Sequence, residues 1–155
     1  MIALYRGRSW LSRAIRWRTW SVYSHAAWID DDDGSLYEAW YPQGVRHLPD
    51  INVGHTPGTV VDLFGVVLTP EQKNGLRKWL TSQLGKPYDL WAILGFIWRL
   101  DIQDDSKWVC SELLYQGLLE NGVELLASDT PASRVSPGVF ALSPFLSKKA
   151  TVVTV

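Results

Sequence analysis

The chain has 155 residues and a mass of 17.5 kDa, and 46% of its residues are hydrophobic. A chain of this size can build one core but not two, so we expect a single domain over residues 1–155. The formal net charge is −1, which excludes a strongly basic nucleic-acid-binding protein, and we expect no nucleic-acid partner. The single cysteine excludes an intramolecular disulfide and favours a reducing compartment.

No membrane-spanning or secretory segment is predicted. The first residues lack the basic region, long apolar run and small-residue cleavage site of a signal peptide. The longest apolar stretch, residues 90–98, is about half the length that a transmembrane helix requires. We therefore expect a cytoplasmic protein, with a phage-encoded or virion-associated protein as the alternative. The sequence indicates no oligomeric state.

The first 41 residues predict a strand, a helix and a hairpin. Residues 2–5 are typical of a short strand, and Ser9 is a good N-cap for a helix. The apolar residues that share one face of this helix are Trp10, Leu11, Ala14, Ile15 and Trp17. The arginines occupy the other face, and Arg13 with Trp17 could touch phosphate or a membrane surface, although ordinary packing is the favoured interpretation. Residues 21–29 and 36–41 read as strands joined by a turn at 30–34.

The rest of the chain predicts further strands and three helices. Residues 42–58 indicate a loop with a short strand at 45–48, and residues 59–68 indicate one bulged strand or two short ones. Thr69, Pro70 and Gln72 form a helix-start signature, and this helix ends at Gly85. Further helices are predicted at 89–98 and 110–121, and a terminal strand at 150–155. This order favours an α+β fold over an alternating βαβ sheet.

The nine tryptophans are many for a chain of this size. Aromatic side chains bury large apolar areas, so we expect most of them in an aromatic core. A platform for stacking nucleic-acid bases is the less favoured alternative.

Cys110 is the candidate nucleophile. It stands where an acidic, polar loop gives way to an apolar helical pattern. Unpaired N–H groups and the positive end of the helix dipole favour an anion at a helix start, so a thiolate forms readily there. The alternative is that a lone cysteine serves as a small core residue.

His25 is the candidate base. The other two histidines, His47 and His55, lie in the proline- and glycine-rich loop region, whereas His25 lies in a predicted strand. A catalytic imidazole must be held rigidly, and a strand is the better mount. If the hairpin loop has an even number of residues, Glu38 projects from the same face as His25. Glu38 could then accept the imidazole N–H, whether His25 pairs with Glu38 itself or with Trp40.

These motifs, in this order, resemble a known family. A histidine in an early strand is followed by the sequence LYEAW around Glu38, then GKPYD at 85–89 and CSEL from Cys110. The pattern, over residues 5–122, is similar to the circularly permuted NlpC-like papain-fold hydrolases. The YiiX and YaeF group of cysteine amidases is the nearest match. In ordinary papain-like enzymes the cysteine precedes the histidine, whereas here it follows, as in the permuted group, which includes relatives of lecithin:retinol acyltransferase.

The resemblance implies a papain-like (permuted NlpC-like) fold, in which the Cys110 helix packs against a small antiparallel sheet or barrel. It implies a triad of Cys110, His25 and Glu38, with the backbone N–H of Cys110 in an oxyanion hole. We expect the sulfur and the imidazole to meet in an open cleft. Tyr88 and Asp89 match the family's tyrosine-aspartate pair, as a structural link or as a substrate contact.

The tryptophans that flank these motifs are Trp28, Trp40 and Trp108. We expect Tyr88, Trp28 and Trp108 to line the site. The three tryptophans are more than the family pattern leads us to expect, so they bear on the shape of the substrate.

The predicted function is a thiol hydrolase that cleaves an amide bond in a peptide, peptidoglycan or lipid-linked substrate. The alternatives are a thioesterase or acyltransferase acting on lipid acyl groups, and a non-enzymatic membrane or nucleic-acid interaction module on an inactive hydrolase fold. We expect no cofactor and no metal, because the cysteine and histidines lack the spacing of zinc ligands. The acidic run at 30–33 lacks the ligand register of a calcium loop, so it is read as a turn.

Overall fold

A six-stranded antiparallel sheet with the strand order β4-β3-β2-β1-β5-β6 organises the fold. The computed structural model describes residues 1–89, 107–127 and 130–155. The strands are β1 (Ile2–Tyr5), β2 (His25–Ile29), β3 (Leu36–Trp40), β4 (Gly44–Leu48), β5 (Val60–Val66) and β6 (Leu146–Val153). The helices are α1 (Trp10–Thr19), α2 (Pro70–Ser82), α3 (Cys110–Glu120) and the short α4 (Pro137–Phe140), preceded by a 3-10 turn at Ala132–Arg134. The predicted α+β class with helices packed against a small antiparallel sheet is confirmed.

Most of the predicted elements lie where the sequence places them. Ser9 caps α1 by accepting a hydrogen bond from the Ser12 backbone N–H, and Thr69 and Gln72 form the predicted capping box of α2. The β5–β6 ladder is irregular between Leu63 and Phe64, but the extra residue is Lys149 of β6, so the bulge predicted for residues 59–68 lies on the partner strand. The helix predicted at 89–98 lies outside the described residues. No helix within the described ranges is long and apolar enough to cross a bilayer.

Two strand boundaries differ from the prediction. β2 begins at His25 rather than at residue 21, because the chain leaves α1 through Trp20 in the left-handed region (φ 51°) and first has to turn back. The terminal strand begins at residue 146 rather than 150, since its ladder with β5 already forms at Leu146. Propensity alone does not mark where such a ladder begins.

The main core lies between one face of the sheet and the helices α2 and α3. Its fully buried side chains include Trp28 of β2, Leu76 and Leu80 of α2, and Leu114 and Leu118 of α3. Alternation along the strands sends the neighbouring residues to the other face, where Tyr5, Ala27 and Leu36 form a smaller cluster. The sheet therefore carries apolar side chains on both faces.

The prediction that the tryptophans form an aromatic core is wrong for the α1 region. Of the apolar residues on this helix only Ile15 is buried, and Trp10 and Trp17 are 74% and 70% exposed. Trp20, just after the helix, is 92% exposed. The physical reason is that α1 makes few contacts with the other elements, so its apolar spacing has little core to face.

The acidic run at 30–33 forms the predicted turn. Gly34 takes a positive φ of 76°, and its N–H bonds to the Asp30 carbonyl. Two of the carboxylates are neutralised by side chains of α2: Arg77 forms ion pairs with Asp30 and Asp32, and Lys73 with Asp32. The turn thus ties the β2–β3 hairpin to α2.

Candidate active site

His25 and Glu38 lie side by side on neighbouring strands. The hairpin register pairs Ile29 with Leu36 and Trp28 with Tyr37, so the connection holds six residues. Continuing this register places Trp40 opposite His25, which is one of the two predicted arrangements. The His25 Nε2 atom lies 2.5 Å from Glu38 Oε2. The even loop thus brings the imidazole and the carboxylate onto the same face, as expected.

The two oxygens of Glu38 have different partners. Arg46, directly opposite Glu38 on β4, donates to Oε1 from Nε (2.8 Å) and from a terminal nitrogen (2.6 Å). Oε2 faces His25, and the His55 Nε2 atom lies 3.3 Å from the same oxygen. His55 Nε2 forms no hydrogen bond to the described residues, so at 3.3 Å it acts as a close polar neighbour of the carboxylate. Glu38 is 1% exposed, and these three side chains compensate its buried charge.

Charges around the imidazole set the protonation of the pair. Burial disfavours the imidazolium, but the charges of Cys110 and Glu38, together with the hydrogen bonds that His25 donates to both, raise the pKa of His25 to about 10. Burial likewise disfavours ionised Glu38, yet His25 and His55 hold the pKa of this carboxyl well below its usual range. At neutral pH the site therefore contains an imidazolium beside a carboxylate.

Cys110 is the first residue of α3, as the sequence predicts. The residue before it, Val109, provides no side-chain cap. The first N–H groups of the helix therefore receive no hydrogen-bond acceptor from the N-cap side chain. The charge of Cys110 is one of the causes that raise the pKa of His25, so the thiol lies within electrostatic reach of the imidazole. Because Nε2 of the ring faces Glu38, Nδ1 is the nitrogen left for the sulfur.

The segment before Cys110 is held by the GKPYD motif. Tyr88 and Trp108 form a parallel backbone bridge: Trp108 N–H donates to the Pro87 carbonyl (3.1 Å), and Asp89 N–H donates to the Trp108 carbonyl (3.0 Å). The same motif bonds to β4, through Val45 N–H to the Lys86 carbonyl at 2.8 Å. The motif is thus a structural link that fixes the start of α3 relative to the sheet.

The three residues predicted to line the site have different surroundings. Burial and the charge of Cys110 raise the pKa of Tyr88 well above its usual value, so its phenol stays protonated near the sulfur. The Trp108 indole donates to Gln83 (3.1 Å) and packs edge-on against Trp79. Trp28 is 2% exposed. Because side chains alternate between the two faces of a strand, Trp28 faces away from His25, so it is a core residue rather than part of an open surface.

Aromatic rings enclose the imidazole. The ring of Trp40 packs edge-on against both His25 (4.9 Å between centroids) and His55 (4.8 Å), and Tyr5 stacks on His55 at 4.3 Å. Cys110, His25 and Glu38 are 2%, 7% and 1% exposed. The three groups therefore form a buried polar cluster.

Sequence reasoning missed two members of this cluster, Arg46 and His55. Arg46 could have been found, because pairing the predicted strand at 45–48 with β3 puts a basic residue opposite Glu38, a favourable cross-strand pair. His55 lies in the loop that follows the predicted short strand. No local sequence signal places it beside Glu38, because the path of that loop through the tertiary structure brings the two residues together. His47 is exposed and stacks on Tyr37, outside the cluster.

Comparison with known proteins identifies a structural neighbour. No protein-family model matches the chain, and no curated protein matches it. The crystal structure of the metalloprotein YiiX from Escherichia coli O157:H7 is 22% identical, with a TM-score of 0.67 over 97% of this chain and 95% of that chain. The two proteins share a fold over almost their whole length. The neighbour bears the name of the group that the sequence motifs resemble.

Proposed function

We propose that this protein is a cysteine hydrolase of the permuted papain-like type, which cleaves an amide bond with Cys110 as nucleophile, His25 as base and Glu38 as the residue that orients the imidazole. The observation that carries the proposal is the 2.5 Å contact between His25 Nε2 and Glu38 Oε2, together with the electrostatic coupling of His25 to Cys110. A nucleophile, a base and an orienting acceptor in this order form the arrangement that activates a thiol.

The mechanism follows from these contacts. His25 holds the proton of the thiol, so the sulfur attacks the substrate carbonyl as a thiolate and forms a C–S bond. The oxyanion accepts hydrogen bonds from N–H groups at the uncapped start of α3, including that of Cys110. His25 then gives its proton to the leaving amine as the C–N bond breaks. Water, deprotonated by His25, hydrolyses the thioester and restores the thiol.

Glu38 and Tyr88 support this cycle. The carboxylate fixes the tautomer of His25 and stabilises the imidazolium, while Arg46 holds the carboxylate in place through Oε1. Tyr88 keeps its proton beside the sulfur and so adds no competing negative charge. The substrates that we propose are peptide, peptidoglycan or lipid-linked amides, and a panel that includes thioesters and lipid esters separates this activity from acyl transfer.

A metal-dependent reaction fits these residues poorly. The structural neighbour YiiX is described as a metalloprotein. Here one oxygen of Glu38 is taken by the Arg46 guanidinium, which would repel a cation, and the other by His25. Within residues 1–89, 107–127 and 130–155, no three His, Cys, Asp or Glu side chains are grouped to hold a metal. The proposed mechanism therefore involves no metal.

Alkylation of the only cysteine tests the proposal directly, because every adduct reports on Cys110. We expect iodoacetamide to modify the folded protein rapidly at pH 6, where an ordinary thiol reacts slowly. H25Q should slow this reaction by about tenfold or more, because the proton acceptor is lost. H47Q, which removes a histidine outside the cluster, is the matched control and should react like the wild type. Intact-mass spectrometry measures the rates.

Turnover of a peptide-amide or thioester substrate gives the second readout. C110A should lower kcat by at least about a thousandfold, because the nucleophile is lost. Its melting temperature should stay close to that of the wild type, since the change removes one small side-chain atom. A C110A protein that retains activity, or a thiol that reacts only in denaturant, would rule out the hydrolase and favour an inactive interaction module.

A further inference from the structure

The α1 region presents an unusual aromatic surface. Trp10, Trp17 and Trp20 are 74%, 70% and 92% exposed within eleven residues of chain. Isolated exposed apolar residues are common, but a group of large exposed aromatics marks an interaction surface. Trp10 and Trp17 are seven residues apart, two turns of helix, and therefore lie along one side of α1. The proposed hydrolase chemistry uses none of the three.

The same surface is basic. Residues 1–29 contain five arginines and no acidic residue, in a chain whose net charge is −1. A groove of about 560 Å³ opens here, lined by Arg8, Arg13, Arg16, Trp17 and Ser21. Arg8 and Arg13 are exposed, and Arg16 donates to the Gly7 carbonyl at 3.3 Å.

These arginines differ from those of the sheet and α2. Arg6, Arg46 and Arg77 each form an ion pair with a buried carboxylate. For Arg8, Arg13 and Arg16, no carboxylate of the described chain lies within ion-pair distance. Three guanidinium groups around one groove, without an internal counter-ion from the described residues, are complementary to an external anion such as a phosphate.

We propose that α1 and its groove dock the protein on an anionic lipid bilayer. Lipid phosphates would occupy the arginine groove, while the exposed indoles of Trp10, Trp17 and Trp20 enter the boundary between headgroups and acyl chains. Tryptophan is favoured at that depth, and basic residues beside it are attracted to anionic lipid. Nucleic acid is the less favoured partner, because only Trp17 lines the arginine groove, so the indoles form no row along it on which successive bases could stack.

The docking surface lies at the same end of the sheet as part of the buried cluster. α1 follows Tyr5, the last residue of β1, and leads to His25, the first residue of β2, and these two residues pair across the strands. A bilayer bound to α1 would thus lie beside the strand ends that carry His25. The docking itself does not depend on the hydrolase activity, and it would hold for an inactive protein as well.

Vesicle co-sedimentation of the full chain tests the docking. The probes are vesicles of equal parts phosphatidylcholine and phosphatidylglycerol, vesicles of phosphatidylcholine alone, and a single-stranded oligonucleotide. R8Q/R13Q removes two exposed charges, and W10S/W17S removes two exposed indoles. K78Q on α2 and F145S before β6 are matched controls, because both side chains are exposed on other elements. C110A serves as a test that binding is independent of catalysis.

We expect the wild type, C110A and both control variants to bind the anionic vesicles, and binding to weaken as salt is raised. R8Q/R13Q should lower the partition coefficient by about tenfold or more, since each basic residue near an anionic surface contributes roughly fivefold. W10S/W17S should also weaken binding. Equal binding to neutral vesicles, binding that these variants leave unchanged, or retention on the oligonucleotide without vesicle binding would overturn the proposal.

Discussion

Glu38 is the residue on which the candidate site converges. It is buried at the centre of its strand and faces three side chains that carry or can accept a proton, Arg46, His25 and His55. A buried carboxylate is costly unless it is paired, and removing one partner of such a pair is more damaging than replacing both. The same contacts that keep Glu38 ionised hold His25 in its protonated form.

Replacing this carboxylate should change the pH dependence of the thiol. In E38Q the charge that favours the imidazolium is lost, so His25 should release its proton at lower pH, by about one to three pH units. The alkaline fall in turnover, which reports the loss of the proton that His25 gives to the leaving amine, should shift by the same amount, as read from pH–rate profiles. E120Q, an exposed carboxylate at the far end of α3, is the control. Superimposable profiles for E38Q and the wild type would show that Glu38 does not act on the imidazole.

At the scale of elements, Asp62 joins strands in the half of the sheet that contains β1, β5 and β6. This buried residue of β5 accepts from Tyr23 (2.7 Å) and Arg6 (2.6 Å), which flank β2 and β1, and from Thr151 (2.5 Å) and Lys148 (2.7 Å) of β6. Burial disfavours its charge, but Lys148 and the other donors hold the pKa of Asp62 well below its usual range. One carboxylate thus links four segments that are distant in sequence.

D62N should therefore cost stability without affecting the thiol. Breaking a buried, multiply paired carboxylate destabilises by about 3–5 kcal/mol. D32N removes an exposed carboxylate that also has two ion-pair partners, and we expect it to cost much less stability than D62N, because solvent screens exposed pairs. Urea unfolding measures both free energies. Equal losses for the two variants would mean that burial does not decide the strength of these pairs.

At the scale of the whole molecule, these paired groups predict how stability depends on pH. Glu38 and Asp62 have pKa values lowered by folding, so their contribution is present above their ordinary values of 4.5 and 3.8 and is lost as pH falls. The pKa of His25 is raised from 6.5 to about 10, so its contribution is complete below pH 6.5 and is lost as pH rises through about 10.

The free energy of unfolding should therefore be greatest between about pH 5 and 6.5, fall gradually above that range and fall steeply in acid. Urea midpoints measured across this range check the curve. In H25Q the free energy of unfolding should decline less at alkaline pH, whereas the decline in acid that Asp62 causes should remain. A wild-type protein whose stability rises steadily from pH 6.5 to 10 would contradict the protonated state of His25.

The sequence predicted the local features of this protein well. Caps such as Ser9 and Thr69 determine helix starts through contacts within one turn, so the starts of α1 and α2 could be read directly. The placement of His25 and Glu38 on one face was equally local, because it follows from the alternation of side chains along two strands joined by a loop with an even number of residues. The start of α3 at Cys110 followed from the change in composition around it. The catalytic roles of these residues and the triad remain a proposal.

What the sequence alone determined is which segments form helices and strands, because capping, alternation and turn chemistry act between near neighbours. What only the tertiary structure decided is how distant segments meet. His55 lies beside Glu38, the GKPYD motif pairs with the segment just before the Cys110 helix, and Asp62 binds side chains from several distant segments. It also decided that the indoles of α1 face outward, since burial depends on what packs against a helix and not on its own periodicity. Long-range packing leaves no local pattern to read.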